Sequence, residues 1–158
     1  MHEYRVTKYN PALRGPTGAY SRNEWTSVKD IGRSFDDAIL TLSVYQRVED
    51  AYVSTALAFL TEAGLTSLNV EGLENTQGQP IACHEGDVLP VERIGDVIGR
   101  VLREEFWCRL QNTAGFVHFG WDYYMYIGVP HPCPTAEALA LNLGLFVEEF
   151  DSPYNAPG

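Results

Sequence analysis

No lysine or arginine follows Arg109 in this chain of 158 residues. Asp122, Glu137, Glu148, Glu149 and Asp151 do follow it, so the last third is purely acidic. Over the whole chain 11 basic residues stand against 21 acidic ones, a formal net charge of -10. That balance disfavours nucleic-acid binding, whose affinity comes mainly from Lys and Arg on phosphates. It suits solubility alone, and it also suits a basic protein partner, because opposite fields steer association.

Other absences narrow the class further. Three cysteines, Cys83, Cys108 and Cys133, are an odd number at wide spacing. They argue against a disulfide framework and agree with a reducing compartment. No apolar run approaches the length of a membrane span. The opening "MHEYRVTKYN" is polar, with no apolar segment behind it, and does not read as a signal peptide. The expectation is a cytoplasmic protein that does not engage a membrane. There is no Gly-rich phosphate loop, no H-E-x-x-H and no EF-hand loop. No Ser or Cys sits in a recognisable nucleophile elbow. Internal repeats and low-complexity tracts are missing too.

What is present is core material. Apolar residues make up 45% of the chain and aromatics 12%, enough for one domain over residues 1–150. The tail "DSPYNAPG" (151–158) reads as loose. "YRVTKY" (4–9) alternates and predicts a strand. "RGPTG" (14–18) is a loop, and an extended piece around Tyr20 to Trp25 is placed to pair back on the strand. A long helix is expected from about Leu42 to Ala63. Tyr45, Val48, Tyr52, Ala56, Phe59, Leu60 and Ala63 form its apolar face. Thr41 caps it, Gly64 ends it, and Gln46, Arg47, Glu49 and Asp50 face water. "TSLNV" (66–70) reads as a short strand. Residues 71–88 read as a polar connection with a short strand near Ile81 to Cys83.

A second helix starts near Pro90, with Val91, Ile94, Ile98, Val101, Leu102, Phe106 and Leu110 as its stripe. Gly95 and Gly99 inside it predict close approach of another backbone. "FVHFGWDYYMYIGV" (116–129) is too long for one strand and predicts a hairpin turning at Gly120 to Asp122. One face carries Val117, Phe119, Trp121, Tyr123, Met125 and Ile127. The other carries Phe116, His118, Asp122, Tyr124 and Tyr126. A short helix over 134–143 points Leu139 and Leu143 inward, and "LFVEEF" (145–150) is a last strand. The sum is an α+β fold: a mixed, mainly antiparallel sheet with two long helices and one short C-terminal helix packed on it.

Chemistry-bearing residues are few. His118, Asp122 and Tyr124 share a predicted strand face, and a His–carboxylate pair can do acid–base work. A half-buried sheet face with polar edges explains them better. Cys83-His84 and His131-x-Cys133 offer four ligands in number but not the spacing of structural zinc sites. The expectation is no metal and no cofactor. Asp36-Asp37, Glu104-Glu105 and Glu148-Glu149 are acidic pairs, read as solvated edges or part of an acidic docking face. Ser27-Val28-Lys29-Asp30 fits a capping box: Ser27 accepts from the Asp30 N–H, Asp30 from the Ser27 N–H, Ile31 packs inward and Gly32 stops the turn. Glu24 and Trp25 are left over, with Trp25 placed in the core.

The stretches "EWTSVKDIG" (24–32), "YQRVEDAYV" (45–53), "LREE" (102–105), "FGWDYY" (119–124) and "GLFVEE" (144–149) span most of the chain. In them the chain resembles small acidic bacterial immunity proteins of polymorphic, LXG-type toxin systems. The resemblance implies a non-catalytic protein that binds and blocks a cognate toxin domain, often a basic nuclease. It carries over no site residues. Asp122, Tyr124, Tyr126, Glu148, Glu149 and Asp151 are the candidate partner-binding residues, chosen for acidity and aromaticity. The alternative is a small enzyme or ligand-binding domain around His118, Asp122 and Tyr124, walled by Trp25 and Trp121. Nothing in the sequence fixes the oligomeric state.

Overall fold

A computed structural model describes residues 1–17 and 23–155. The extended piece expected from Tyr20 begins outside the described residues, and so do Gly18 of the early loop and the last three residues of the tail. Strands β1 (His2–Thr7), β4 (Ser67–Glu74), β5 (Val88–Pro90), β6 (Trp107–Gln111), β7 (Phe116–Phe119), β8 (Met125–Val129) and β9 (Phe146–Glu149) form one sheet, and β2 (Ser34–Phe35) pairs separately with β3 (Ala38–Ile39). The large sheet runs β5-β4-β6-β7-β8-β1-β9, and every neighbouring pair is antiparallel. Helices α1 (Leu42–Glu62), α2 (Val91–Leu102) and α3 (Pro134–Asn142) complete the α+β fold.

Helix α1 forms where the apolar period predicts it. Thr41 Oγ1 accepts from the Val44 N–H at 3.2 Å, and Tyr45, Tyr52, Ala56, Phe59 and Leu60 are buried. Glu49 departs from the expectation. It is 5% exposed rather than in water, because Arg103 reaches it at 3.1 Å and the Tyr45 hydroxyl donates to it at 3.0 Å. A carboxylate enters a core only with such partners.

The glycines of α2 meet side chains, among them those of α1, and not the backbone that their size suggests. A Cβ on Gly95 would lie 3.2 Å from Val53 Cγ1, and one on Gly99 3.4 Å from the Glu49 carboxylate. The helix stops at Leu102, earlier than its apolar stripe suggests. Glu104 takes a left-handed φ of 62°, and the chain turns into β6. Phe106, Cys108 and Leu110 are then buried by strand alternation, not by helical spacing. Strand β4 likewise outruns its prediction, reaching Glu74. Its outer half is held by Glu85, whose carboxylate accepts from the N–H groups of Gly72 and Leu73 at 3.0 and 2.8 Å. The strand read near Ile81 to Cys83 does not form; β5 lies at Val88–Pro90 instead.

The hairpin in 116–129 forms with its turn where expected. The Gly120 N–H donates to the Tyr124 carbonyl at 2.7 Å, and Phe119 pairs with Met125. Val117, Phe119, Met125 and Ile127 join the helix-side core. Trp121 does not: it is 85% exposed. Gly128 faces Phe116 across the strands, where any Cβ would strike the ring at 2.2 Å. In α3 the inward residues are Ala136 and Ala140, not Leu139 and Leu143. The Ala136 N–H reaches the Glu62 carboxylate of α1 at 2.8 Å. Such close approach selects small side chains over leucines.

The tail is held rather than loose over residues 151–155. The Ser152 N–H and the Asn155 side-chain amide both donate to the Glu3 carboxylate, at 3.1 and 2.7 Å. This strap covers the sheet face opposite the helices.

Candidate functional site

The strap decides the fate of several candidates. His118 is fully buried beneath it. Its Nε2 lies 2.7 Å from Gln111 Oε1 and its Nδ1 2.7 Å from the Ser152 hydroxyl. Gln111 turns its amide N–H₂ to Glu71, so its oxygen faces the imidazole and can only accept. The proton therefore sits on Nε2, and Ser152 donates to Nδ1. Ser152 Oγ in turn accepts from the Tyr154 N–H at 3.2 Å. Phe116 stacks on the ring at 4.1 Å. Burial, with Arg109 nearby, pushes the His118 pKa down to about 4. The imidazole is a neutral structural link with both nitrogens occupied.

Tyr126 is buried below Phe150 and Tyr154, with ring centroids at 5.9 and 6.0 Å. Glu148 is clasped by Arg14 at 2.8 Å and Arg5 at 3.3 Å. Burial alone would raise its pKa, but the hydrogen bonds from Arg14 and Arg5 hold it below the usual carboxylate value. Tyr124 is half-buried against Tyr9 at 5.7 Å, with the Arg5 guanidinium 5.5 Å from its ring. Of the candidate partner residues, only Asp122, Glu149 and Asp151 are exposed. His118, Asp122 and Tyr124 do not line a common cavity: of the three, Asp122 alone enters the cleft described below. The two Cys–His pairs are not brought together either. No group of three or more His, Cys, Asp or Glu is placed to hold a metal among the described residues. All three thiols are buried, and burial raises that of Cys108 to about 12.

Trp25 anchors a buried corner. It packs on Tyr45 at 5.6 Å and edge-on to Tyr123 at 5.1 Å. The Lys8 ammonium sits 4.1 Å from the Trp25 ring and 3.0 Å from Glu24. Burial lowers the Lys8 pKa, and the Glu24 hydrogen bond and charge oppose that. Glu24 and Trp25 are thus two parts of one cation clamp. The capping turn beside them forms with each contact displaced. Ser27 Oγ accepts from the Lys29 N–H at 3.1 Å, and Asp30 from the Thr26 N–H at 2.9 Å. Gly32 takes a φ of 97° after it.

The 26–29 turn and Tyr123 beside this corner line a cleft of about 500 Å³ at the C-terminal end of α2. Its walls come from the 26–29 turn, the end of β4, the Glu104 bend, the β7–β8 turn and Tyr154 of the strap. Asp122 and Tyr123 both hold left-handed φ values, 61° and 66°. Two such non-glycine residues in succession are strained, and strain of this kind concentrates at functional turns. Besides its own backbone bonds, three tyrosine hydroxyls tie the turn to the fold. Tyr9 donates to the Asp122 carbonyl at 2.7 Å, Tyr52 to the Tyr123 carbonyl at 2.8 Å, and the Tyr123 hydroxyl to the Leu102 carbonyl at 3.1 Å. The turn presents Trp121 to solvent at the cleft mouth. Glu74, Glu104 and Asp122 place three carboxylates around it against one ammonium, Lys29.

The sequence offers Asp122 and Trp121 for a pocket with His118 and Tyr124, and Glu104 for an acidic face. The structure instead groups Asp122, Trp121 and Glu104 with Trp107 and Tyr154, which sequence reasoning does not single out. Strand parity groups Trp121 with Val117, Phe119, Tyr123, Met125 and Ile127, which are buried; the turn interrupts that parity and leaves Trp121 exposed. Tyr154 was hidden in a segment whose composition signals no order.

No helix of the described residues is long and apolar enough to cross a membrane. No family model, curated protein or solved structure matches this chain.

Proposed function

We propose that this protein binds a basic protein partner in the cytoplasm and blocks it by occlusion, as an immunity protein blocks its toxin domain. One observation carries the reading: Trp121, 85% exposed, stands on a strained turn beside a carboxylate-lined cleft. An indole held in water is a cost that a partner would recover, and tryptophan is the residue most enriched at interface hot spots. The formal charge of -10 supplies the attraction for a basic partner. No cofactor enters the reading, and neither a nucleic acid nor a membrane is the partner. The likeness to immunity proteins supports the same conclusion from the sequence side.

The test is co-expression with the product of the adjacent gene. The expected result is rescue of growth and a complex whose association slows as salt rises. A neighbour that is no toxin, together with no rescue, overturns the proposal.

A further inference from the structure

We propose that the cleft at the end of α2 is a receptor for an arginine side chain of the protein partner. This rests on the partner-binding reading above and assigns its recognition chemistry. Trp121 forms one side of the mouth. Trp107 and Tyr154, ring centroids 5.6 Å apart, form an aromatic wall. The Trp107 indole N–H donates to the Phe119 carbonyl at 3.0 Å, so that wall is set before any ligand arrives. A guanidinium is planar, weakly hydrated and able to stack on such faces. It also pairs with carboxylates through two parallel hydrogen bonds.

The charges point the same way. Glu74 and Asp122 line the cleft and form no ion pair among the described residues. The carboxylate of the third acid, Glu104, takes the Ser27 hydroxyl. Helix α2 ends here, and the negative end of its dipole also favours a cation. The volume of about 500 Å³ exceeds what one side chain needs and leaves room for flanking backbone. A lysine would gain the charge term but little of the stacking. An anionic or aliphatic side chain would gain neither, and a neutral aromatic one would stack without the charge.

The experiment titrates the full chain with acetyl-Gly-Arg-Gly-amide while the tryptophan indole N–H signals are followed by NMR. Parallel titrations use the Lys, norleucine and Glu peptides, and choline. The expected result is a saturable shift of the Trp121 signal by the Arg peptide. The Lys peptide should bind about threefold more weakly or worse, and the norleucine and Glu peptides should give no shift. Asp122→Asn keeps a residue that tolerates the left-handed turn and should weaken Arg-peptide binding about fivefold or more. Trp121→Ala, followed through the Trp107 signal, should do the same. No shift with the Arg peptide up to about 20 mM overturns the proposal, and so does choline binding as tightly as arginine. If Trp121→Ala protein still binds and blocks the partner with unchanged affinity, the cleft proposal falls and the partner reading stands. If the Arg peptide binds but no partner is blocked, the toxin-blocking reading falls and the arginine receptor stands.

Discussion

Trp25 and Trp121 both contact or flank Tyr123, yet their environments are opposite. Trp25 is 7% exposed, clamped between Lys8, Tyr45 and Tyr123. Trp121 lies two residues before Tyr123 in the chain and is 85% exposed. The first region satisfies every large side chain with a partner. The second uses comparable hydrogen bonding only to fix a backbone turn, and leaves the indole outside. One corner is built for stability, and the other is held in shape for contact.

The largest effect expected from breaking this contrast is at Trp25. Trp25→Ala should cost about 3–5 kcal/mol in urea unfolding, as for other large core deletions. A loss below about 1 kcal/mol would mean the corner is not a core element. Next comes Glu49, which supports Tyr45 from behind. Glu49→Ala removes the acceptor of the Tyr45 hydroxyl and one partner of Arg103, which keeps the Gly99 carbonyl and Glu105. Arg103 is 40% exposed, so the expected loss is about 2 kcal/mol, below that of a fully buried pair. Unchanged unfolding midpoints would show the ion pair to be idle.

The strap supports the second region, because Tyr154 lines the cleft. Ser152→Ala removes the bond to His118 and should cost about 1 kcal/mol. Hydrogen exchange at residues 150–155 should quicken, while amides of α1 stay protected. The same link predicts a pH window. His118 has a folded pKa of about 4 against an ordinary 6.5. Between these values the unfolded chain binds the proton and the folded one does not. Its contribution to stability is therefore intact above pH 6.5 and is lost as pH falls towards 4. His118→Gln should lack that part of the acid slope, read as the difference in unfolding free energy between pH 7 and 4.5. The smallest stability effect is at the other tryptophan. Trp121→Ala should stay within about 0.5 kcal/mol of the parent protein while partner binding drops. A large destabilisation would place Trp121 with Trp25 and dissolve the comparison.

Local signals made much of the fold legible. The period of α1, its Thr41 cap, and the hairpin in 116–129 are properties of neighbouring residues, and neighbours are visible in a sequence. Strand β6 was readable from alternation at Phe106, Cys108 and Leu110, but the three- and four-residue spacing from Leu102 competed with it. The bend at Glu104 decided between them, and a left-handed glutamate has no sequence mark. The candidate site was less legible. Tyr126 and Glu148 looked available because nothing local shows that the strap and two arginines cover them.

Charge, the aromatic supply, the helix faces and the placement of Trp25 in a core follow from the sequence itself. They depend on composition and on contacts along one element. Tertiary structure alone decided that Glu49 is buried, that His118 is a latch and not a base, and that Trp121 stands in water. Each of these turns on a partner distant in the chain: Arg103 for Glu49, Ser152 for His118, and Tyr9 and Tyr52 for the turn bearing Trp121. Burial and pairing across such distances are set by how the sheet and its coverings close, and no local pattern encodes that.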